Sequence, residues 1–448
     1  MQDGQTPPIP HSPPRMPGAA RPATPRRIWI ADRLDVRLRQ RRMGPQQIRG
    51  LATALVTLHA ERAGSATPGA AEDAPRRRAR VREVCAALRS LAPALAVVEE
   101  RERELLAELD RRAPALDART EFPGACRLHG ALHSAGIFID PAGGTVVEPT
   151  EPADRRIGDP AEDLAALLVQ VAADGEWDFA RRLLAAYAET SGDFGLYPVI
   201  GVHIGLAALE AARAVLDVAR GAAPAVSRPA RASAERLLDA PRRLAPGRRP
   251  PRALVFAGVM ASGKSTLSVR LAARLGVPRI SGDALRERRL ERVTRRGATP
   301  LASLTDGATD EVYADILRAA RAVLGSGCTV VIDAAFPSRA QRAELRDLAA
   351  RLGAELRFVE CQADRTVVRR RLEARARTQR CDVQEWLTLR DRLLADWEPI
   401  EELPHAQHLR LDTSRDPKAC LERVERWLGT RSGPHRVPPA PAWVQNQA

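Results

Sequence analysis

The residues best suited to chemistry lie together at Gly258-Val259-Met260-Ala261-Ser262-Gly263-Lys264-Ser265-Thr266. Two glycines five positions apart, followed directly by a lysine and a hydroxyl residue, fit G-x-x-x-x-G-K-[ST], the Walker A phosphate-binding loop. Glycine lets the backbone curl until successive N–H groups face one anion, and a helix starting at the end of the loop adds partial positive charge. Lys264 would reach the β- and γ-phosphates of a nucleotide, and the Ser265 hydroxyl would ligate Mg²⁺. Lysine occurs elsewhere only at Lys418, and the remaining positive charge is arginine. A chain that avoids lysine thus keeps one where a compact point charge suits a phosphate.

Two carboxylates follow. Asp333 ends the apolar run Val330-Val331-Ile332-Asp333, a Walker B-like pattern whose carboxylate would hold Mg²⁺ directly or through water. Asp283 and Arg286 lie in Ile280-Ser281-Gly282-Asp283-Ala284-Leu285-Arg286. Asp283 would accept the proton of an attacking hydroxyl, with Arg286 one turn on to orient it or to bind an anionic acceptor. The bland alternative for Asp283 is a helix cap. Further on, Asp364 to Arg377 reads as a helix carrying Arg369, Arg370, Arg371, Arg375 and Arg377. Arg371 and Arg375, four apart on one face, would neutralise a transferring phosphoryl group from a lid. In a chain this rich in arginine, an exposed basic helix is the competing reading.

These residues need rigid elements to hold them. Ala253-Leu254-Val255-Phe256-Ala257 before the loop reads as a buried strand, and Leu267, Val269, Leu271 and Leu275 after it as a helix stopped by Gly276. Further strands are expected at 278–281, 329–332, 355–360 and 408–411. Strands alternating with helices imply an α/β fold, a parallel sheet flanked by helices with ligands at the carboxyl ends of the strands. The second strand is expected close beside the first, which would let Asp283 face the γ-phosphate.

The rest of the chain reads differently. Residues 1–30 form a Pro- and Arg-rich arm expected to be disordered, and 431–448 a Pro-rich tail of the same kind. Residues 31–220 are mainly helical, with stripes such as Ile48, Leu51, Leu55 and Leu58, and one helical stretch from about Arg76 to Leu109. A hairpin is expected at Gly136 to Glu148. Residues 221–250, rich in Pro, Ala and Arg, read as a linker with one short helical patch, and 251–430 as the phosphate-binding domain.

Composition sets bounds. At 448 residues two domains are expected. The net charge of +14 points weakly to anionic ligands, but the 4% aromatic content offers little to stack nucleic-acid bases. The six cysteines form no C-x-x-C pair and read as reduced thiols of a cytoplasmic protein. No apolar run of about 18 residues is recognised, so no membrane span is expected.

On the Walker loop, Asp283 with Arg286, Asp333 with Ala334-Ala335-Phe336, the arginine helix and Asp412-Thr413-Ser414, the second half resembles small P-loop kinases grouped with zeta toxins, gluconate-type kinases and polynucleotide 5′-kinases. The resemblance implies ATP and Mg²⁺ as cofactors, adenine contact near Thr413, and phosphotransfer to a hydroxyl. A small-molecule or sugar acceptor is favoured over a polynucleotide 5′-hydroxyl, and a nucleotide-binding regulatory or scaffold ATPase is the alternative.

Residues 127–220 resemble the C-terminal lobe of aminoglycoside phosphotransferases through His129-Gly130-Ala131-Leu132-His133 and Ile157-Gly158-Asp159-Pro160-Ala161-Glu162-Asp163. The resemblance places Ala131 at the base position, Gly136 at a metal-binding Asn, and Glu148 near a metal-binding Asp. Ala131 accepts no proton and residues 1–263 contain no lysine, so the expectation is a truncated pseudokinase with Asp159 and Asp163 structural. The whole chain resembles bacterial two-part phosphotransferase/ATP-binding proteins, whose P-loop part is also classed as AAA-type.

Overall fold

The structure is a computed structural model that describes residues 30–63, 72–93, 95–122, 124–149, 156–247, 249–295, 306–379 and 382–429. The expected N-terminal arm and C-terminal tail lie outside the described residues, apart from Ile30.

The first half is helical. Helices α1 (Leu34–Arg39), α2 (Pro45–Ala63), α3 (Ala74–Leu91) and α4 (Val97–Thr120) lead into strands β1 (Cys126–Arg127), β2 (Ile137–Ile139), β3 (Thr145–Val147) and β4 (Ile157–Gly158). Helices α5 (Pro160–Ala173), α6 (Trp177–Ser191), α7 (Tyr197–Val218) and α8 (Pro224–Leu244) complete it. The β2–β3 hairpin pairs Ile137 with Val147 as the alternating pattern predicts. The single stretch expected from Arg76 to Leu109 is two helices, because Pro93 follows the end of α3.

The segment expected to be a linker is instead α8. Its buried Ala234, Leu237, Leu238 and Ala240 recur at helical spacing and pack on α5 and α7, which outweighs the cost of Pro229 and Pro241 inside the helix. The helical half therefore runs to about residue 247. The segment Phe194–Val218 also corrects the expectation about apolar runs: by length and composition alone it could cross a membrane, with a mean hydropathy of 1.7. More than half of that window is buried (56%), packed among α3, α4, α5 and α8, so its apolar character is explained by the core.

The second half is the expected α/β sandwich of helices around a parallel sheet. Its elements are β5 (Arg252–Ala257), α9 (Lys264–Leu275), β6 (Arg279–Ser281), α10 (Gly282–Arg295), α11 (Asp306–Gly325) and β7 (Val330–Asp333), then α12 (Arg339–Arg351), β8 (Glu355–Gln362), α13 (Arg365–Gln379), α14 (Val383–Ala395), β9 (His408–Asp412) and α15 (Pro417–Trp427). The strand order is β6-β7-β5-β8-β9, all parallel. The expectation that the second strand sits close beside the first needs correction, because β7 lies between β5 and β6. Asp333 in β7 is thereby in register with both Phe256 of β5 and Ser281 of β6.

Alternation along β5 decides the two faces. Leu254 and Phe256 pack with Leu267, Leu271, Leu421 and Val424 of α9 and α15. Ala253, Val255 and Ala257 face the other way, into a cluster with Ile316, Ala320 and Leu345 of α11 and α12. That second cluster continues without a break into Leu196, Tyr197 and Ile200, and so into the whole helical half. The two halves share one core.

Candidate nucleotide-binding site

Strand β5 is buried on both sides and delivers the chain to the loop at the carboxyl edge of the sheet. Gly258 turns there with φ 139°, where a Cβ would lie 2.6 Å from the Cys361 carbonyl oxygen and 2.7 Å from Ser262 Oγ. No other residue fits that corner. The Gly258 N–H donates to the Ala335 carbonyl at 3.1 Å, so the loop is stitched to the end of β7. Ala261 (φ 60°) and Gly263 (φ 85°) are both left-handed, which turns the backbone N–H groups inward. The Ser262 N–H closes a turn on Val259 O at 3.2 Å. Val259 and Met260 fill the turn, half-buried. Helix α9 begins at Lys264, and the N–H groups of its first turn, including those of Ser265 and Thr266, have no intrahelical acceptors. Lys264 is half-buried and Ser265 and Thr266 are exposed. The result is an anion cradle with a cation at its rim.

Two further groups hold the loop from behind. The buried Thr413 hydroxyl lies 2.5 Å from Ser262 O and 3.0 Å from Gln362 O. Arg371 of α13 donates from Nη1 to Ala261 O at 3.0 Å and from Nη2 to Thr413 O at 2.6 Å. Burial, with Arg370 nearby, lowers the Arg371 pKa from its ordinary value, yet a guanidinium stays charged. The expectation is Thr413 near adenine and Arg371 on a transferring phosphoryl group; in the structure each bonds one loop carbonyl, Thr413 also bonding Gln362 O and Arg371 also bonding Thr413. Arg375 departs further: its guanidinium stacks on Trp386 of α14, 4.7 Å from the ring centroid.

Asp333, 3% exposed, is the buried charge of the site. Its Oδ1 accepts from Ser265 Oγ at 3.2 Å, and its Oδ2 accepts from Ser268 Oγ at 2.9 Å and from Arg279 Nη1 at 2.9 Å. Ser265 and Asp333, paired in the sequence reading as metal ligands, are thus brought together. Mg²⁺ takes hard oxygens, keeps several waters and needs few protein ligands, so Ser265 Oγ and Asp333 Oδ1 fit it. Sequence reasoning missed Ser268 and Arg279. Ser268 could have been found as Ser265 + 3 on the same helix face. Nothing in the sequence distinguishes Arg279 from the other arginines.

Asp283 stands in the first turn of α10, exposed, with Oδ1 3.4 Å from Arg286 Nη1. It is not the cap of that helix: Ser281 Oγ accepts the Ala284 N–H at 3.3 Å. The turn is placed beside the end of β7, since a Cβ on Gly282 would touch Ala334 Cβ at 3.3 Å. There Phe336 adopts φ 54°, held by its N–H donating to the Tyr313 hydroxyl at 2.9 Å.

In the helical half Asp159 and Asp163 are buried and held by hydrogen bonds. Asp163 accepts the backbone N–H groups of His129 at 2.5 Å and Gly130 at 2.8 Å. Asp159 caps α5 and accepts Arg119 Nη2 at 2.7 Å; burial pushes its pKa up, but the Arg119 guanidinium outweighs it and lowers it to about 2. His129 Nε2 lies 2.8 Å from Glu148 O, and His133 Nδ1 accepts the Gly136 N–H at 3.0 Å. Among the described residues no group of three His, Cys, Asp or Glu side chains is placed to hold a metal.

The family described as an AAA domain matches residues 254–394. No curated protein matches the chain. Among solved structures it is similar to a gluconokinase from Sinorhizobium meliloti 1021, 25% identical over 41% of this chain and 94% of that one, with a TM-score of 0.31. It is also similar to a sugar kinase from Janibacter sp. HTCC2649, at 24% identity, 40% and 96% coverage and a TM-score of 0.30. A third is the Mycobacterium tuberculosis APS kinase in complex with AMPPNP and APS, at 21% identity, 40% and 98% coverage and a TM-score of 0.28. With β5 running through the Walker loop into α9 at the carboxyl edge of a parallel sheet flanked by helices, residues 252–427 have the strand–loop–helix arrangement of a P-loop α/β fold.

Proposed function

We propose that the second half binds Mg-ATP at Gly258–Thr266 and transfers the γ-phosphate to a hydroxyl of a small molecule. The observation that carries this reading is the convergence of Lys264, Ser265 and Asp333 at one strand edge, with Ser265 Oγ 3.2 Å from Asp333. In it, the loop N–H groups and Lys264 hold the phosphates, and Ser265 with Asp333 hold Mg²⁺, which would offset charge on the phosphoryl oxygens. Asp283 takes the acceptor proton and Arg286 orients it. Arg371 and Thr413 keep the loop in shape.

The test is calorimetry of ATP binding with the full chain. Lys264→Ala is expected to weaken binding at least tenfold, while Lys418→Ala, outside the loop in the first turn of α15, leaves it unchanged; equal affinity in wild type and Lys264→Ala would overturn the assignment. Labelled ATP offered to sugars, nucleosides, 5′-hydroxyl oligonucleotides and water alone then separates kinase from hydrolase.

A second reading is a nucleotide-binding regulatory or scaffold ATPase, in which the Arg279–Asp333 ion pair lessens the carboxylate's hold on Mg²⁺ and slows turnover. Turnover on water alone, with every acceptor inert, supports it. The helical half fits a truncated aminoglycoside phosphotransferase-like pseudokinase, in which Glu148 Oε2 lies 3.3 Å from where a Gly136 Cβ would be and Ala131 supplies no base. Cytoplasmic residence is part of the same reading.

A further inference from the structure

Helix α6 ends against the nucleotide-binding half. Its last turn carries Glu189 and Thr190, and Gly192 follows as a left-handed cap. Glu189 is engaged through both its side chain and its backbone. Its Oε1 accepts Arg279 Nε of β6 at 3.1 Å. Its carbonyl and that of Thr190 both accept Arg288 Nη2 of α10, the latter at 3.1 Å. Gly192 leaves room for that arginine, because a Cβ there would lie 2.6 Å from Arg288 Nη1. The Glu189 carboxylate is thereby fixed beside β6.

Arg279 stands between two carboxylates, and among the described residues they are its only acidic partners. Its Nε serves Glu189, and its Nη1 serves Asp333 Oδ2 at 2.9 Å. The Asp333 side chain is 2% exposed, so water screens that pairing little. The other oxygen, Oδ1, accepts from Ser265 at 3.2 Å. A guanidinium on Oδ2 weakens the pull of the same carboxylate on a cation at Oδ1. Glu189 opposes this, because its negative charge offsets part of the positive charge that Asp333 feels. A tie that only joined the two halves would need no arginine on this aspartate.

We propose that Glu189 is a positioning residue of the metal site. Acting from the helical half through Arg279, it keeps the Asp333 carboxylate negative enough to hold Mg²⁺. The proposal rests on the reading of Ser265 and Asp333 as the Mg²⁺ ligands, and it gives the helical half a part in nucleotide binding that needs no catalytic residue of its own.

Calorimetry of ATP binding to the full chain, titrated with Mg²⁺ and repeated in EDTA, tests this. Glu189→Gln keeps the shape of the side chain and still offers an oxygen to Arg279 Nε, but it loses the charge. The gain in ATP affinity that Mg²⁺ brings is expected to fall about tenfold in this variant, while its ATP affinity in EDTA and its melting temperature stay near wild type. Arg279→Met is expected to raise Mg²⁺ affinity. Adding Glu189→Gln to it should change nothing further, because the group that links the two carboxylates is gone. An unchanged Mg²⁺ dependence in Glu189→Gln, or the same loss from Glu189→Gln with and without Arg279, would overturn the proposal while leaving the metal site in place. Failure of the metal reading looks different. In that case Asp333→Asn would show the Mg²⁺ dependence of the wild type, and the role of Glu189 would fall with it.

Discussion

Asp283 and Asp333 are both carboxylates at the carboxyl edge of one sheet, but their surroundings assign them different work. Asp333 is buried and already holds Ser265, Ser268 and Arg279, so it is a fixed negative charge. Asp283 is exposed, pairs with Arg286, and is relieved of capping by Ser281, so the proposed base role does not compete with a structural one. Asp283→Asn is therefore expected to leave stability and ATP affinity nearly unchanged while turnover on an identified acceptor falls roughly 10²–10⁴-fold. Full turnover by that variant would remove Asp283 from the chemistry. Both aspartates were legible from their place after apolar runs. Which residue caps α10 was not, because Ser281 and Asp283 are both good caps and only the direction of the Ala284 N–H decides. Arg279 was illegible, being one of 68 arginines (70 basic residues less Lys264 and Lys418). Arg371 was legible as important but not in its role. Its two bonds to Ala261 O and Thr413 O are charge-assisted, and each such bond is worth about 1.5–3 kcal/mol. Arg371→Met should thus loosen the loop and lower ATP affinity about tenfold, whereas Arg375→Met, stacked on Trp386, should leave it unchanged; calorimetry on both variants checks the contrast.

Among elements, the strands of the sheet were the most legible. Buried parallel strands read as short continuous apolar runs, as Leu254 to Ala257 and Val330 to Ile332 do. Helix α8 was the least legible, because its Pro, Ala and Arg content signals a linker and its apolar stripe is short; packing on α5 and α7 decides its fate. The buried polar ties between helices were also hidden, since they join residues distant in sequence. His203 of α7 is one of them. Its Nδ1 lies 3.3 Å from Arg77 Nη1, and arginine can only donate, so this nitrogen carries the lone pair. Burial first, and Arg77 next, disfavour the imidazolium and lower its pKa to about 4. The unfolded chain, with a pKa near 6.5, binds a proton that the folded chain refuses. Stability is thus complete above about pH 6.5 and is lost as pH falls toward about 4, by about 3 kcal/mol in all. Asp159, also lowered, loses its contribution only further down, between its unfolded value of 3.8 and about 2. His203→Gln still accepts from Arg77 but does not titrate. Urea unfolding at several pH values between 7 and 4 should show a slope in the wild type that this variant flattens; the same slope in both would exclude His203 as its source.

At the scale of the whole molecule the expectation of two domains meets one continuous core. Composition shows the two textures of the chain but not the surface between them, because the contact is made by ordinary residues: Leu196 and Tyr197 on one side, Tyr313 and Ile316 on the other. Polar ties cross the same junction. Arg279 donates to Glu189 of α6 at 3.1 Å while it holds Asp333, and Arg288 Nη2 donates to Thr190 O at 3.1 Å. The carboxylate that faces Ser265 is therefore tethered to the helical half through a single guanidinium. Separating the halves would expose shared apolar surface and leave Arg279 without Glu189, both costly. Scanning calorimetry of the full chain should thus show one cooperative transition. Mg-ATP at a hundred times its Kd adds about 2.7 kcal/mol to whatever unfolds with the site, so the whole transition should move up in temperature together. Arg279→Met should split or broaden it, because the tie between Glu189 and Asp333 is gone while each half keeps its own helices. Two transitions in the wild type, with only one of them moved by ATP, would show that the shared core does not couple the halves and that Arg279 is a local ion pair.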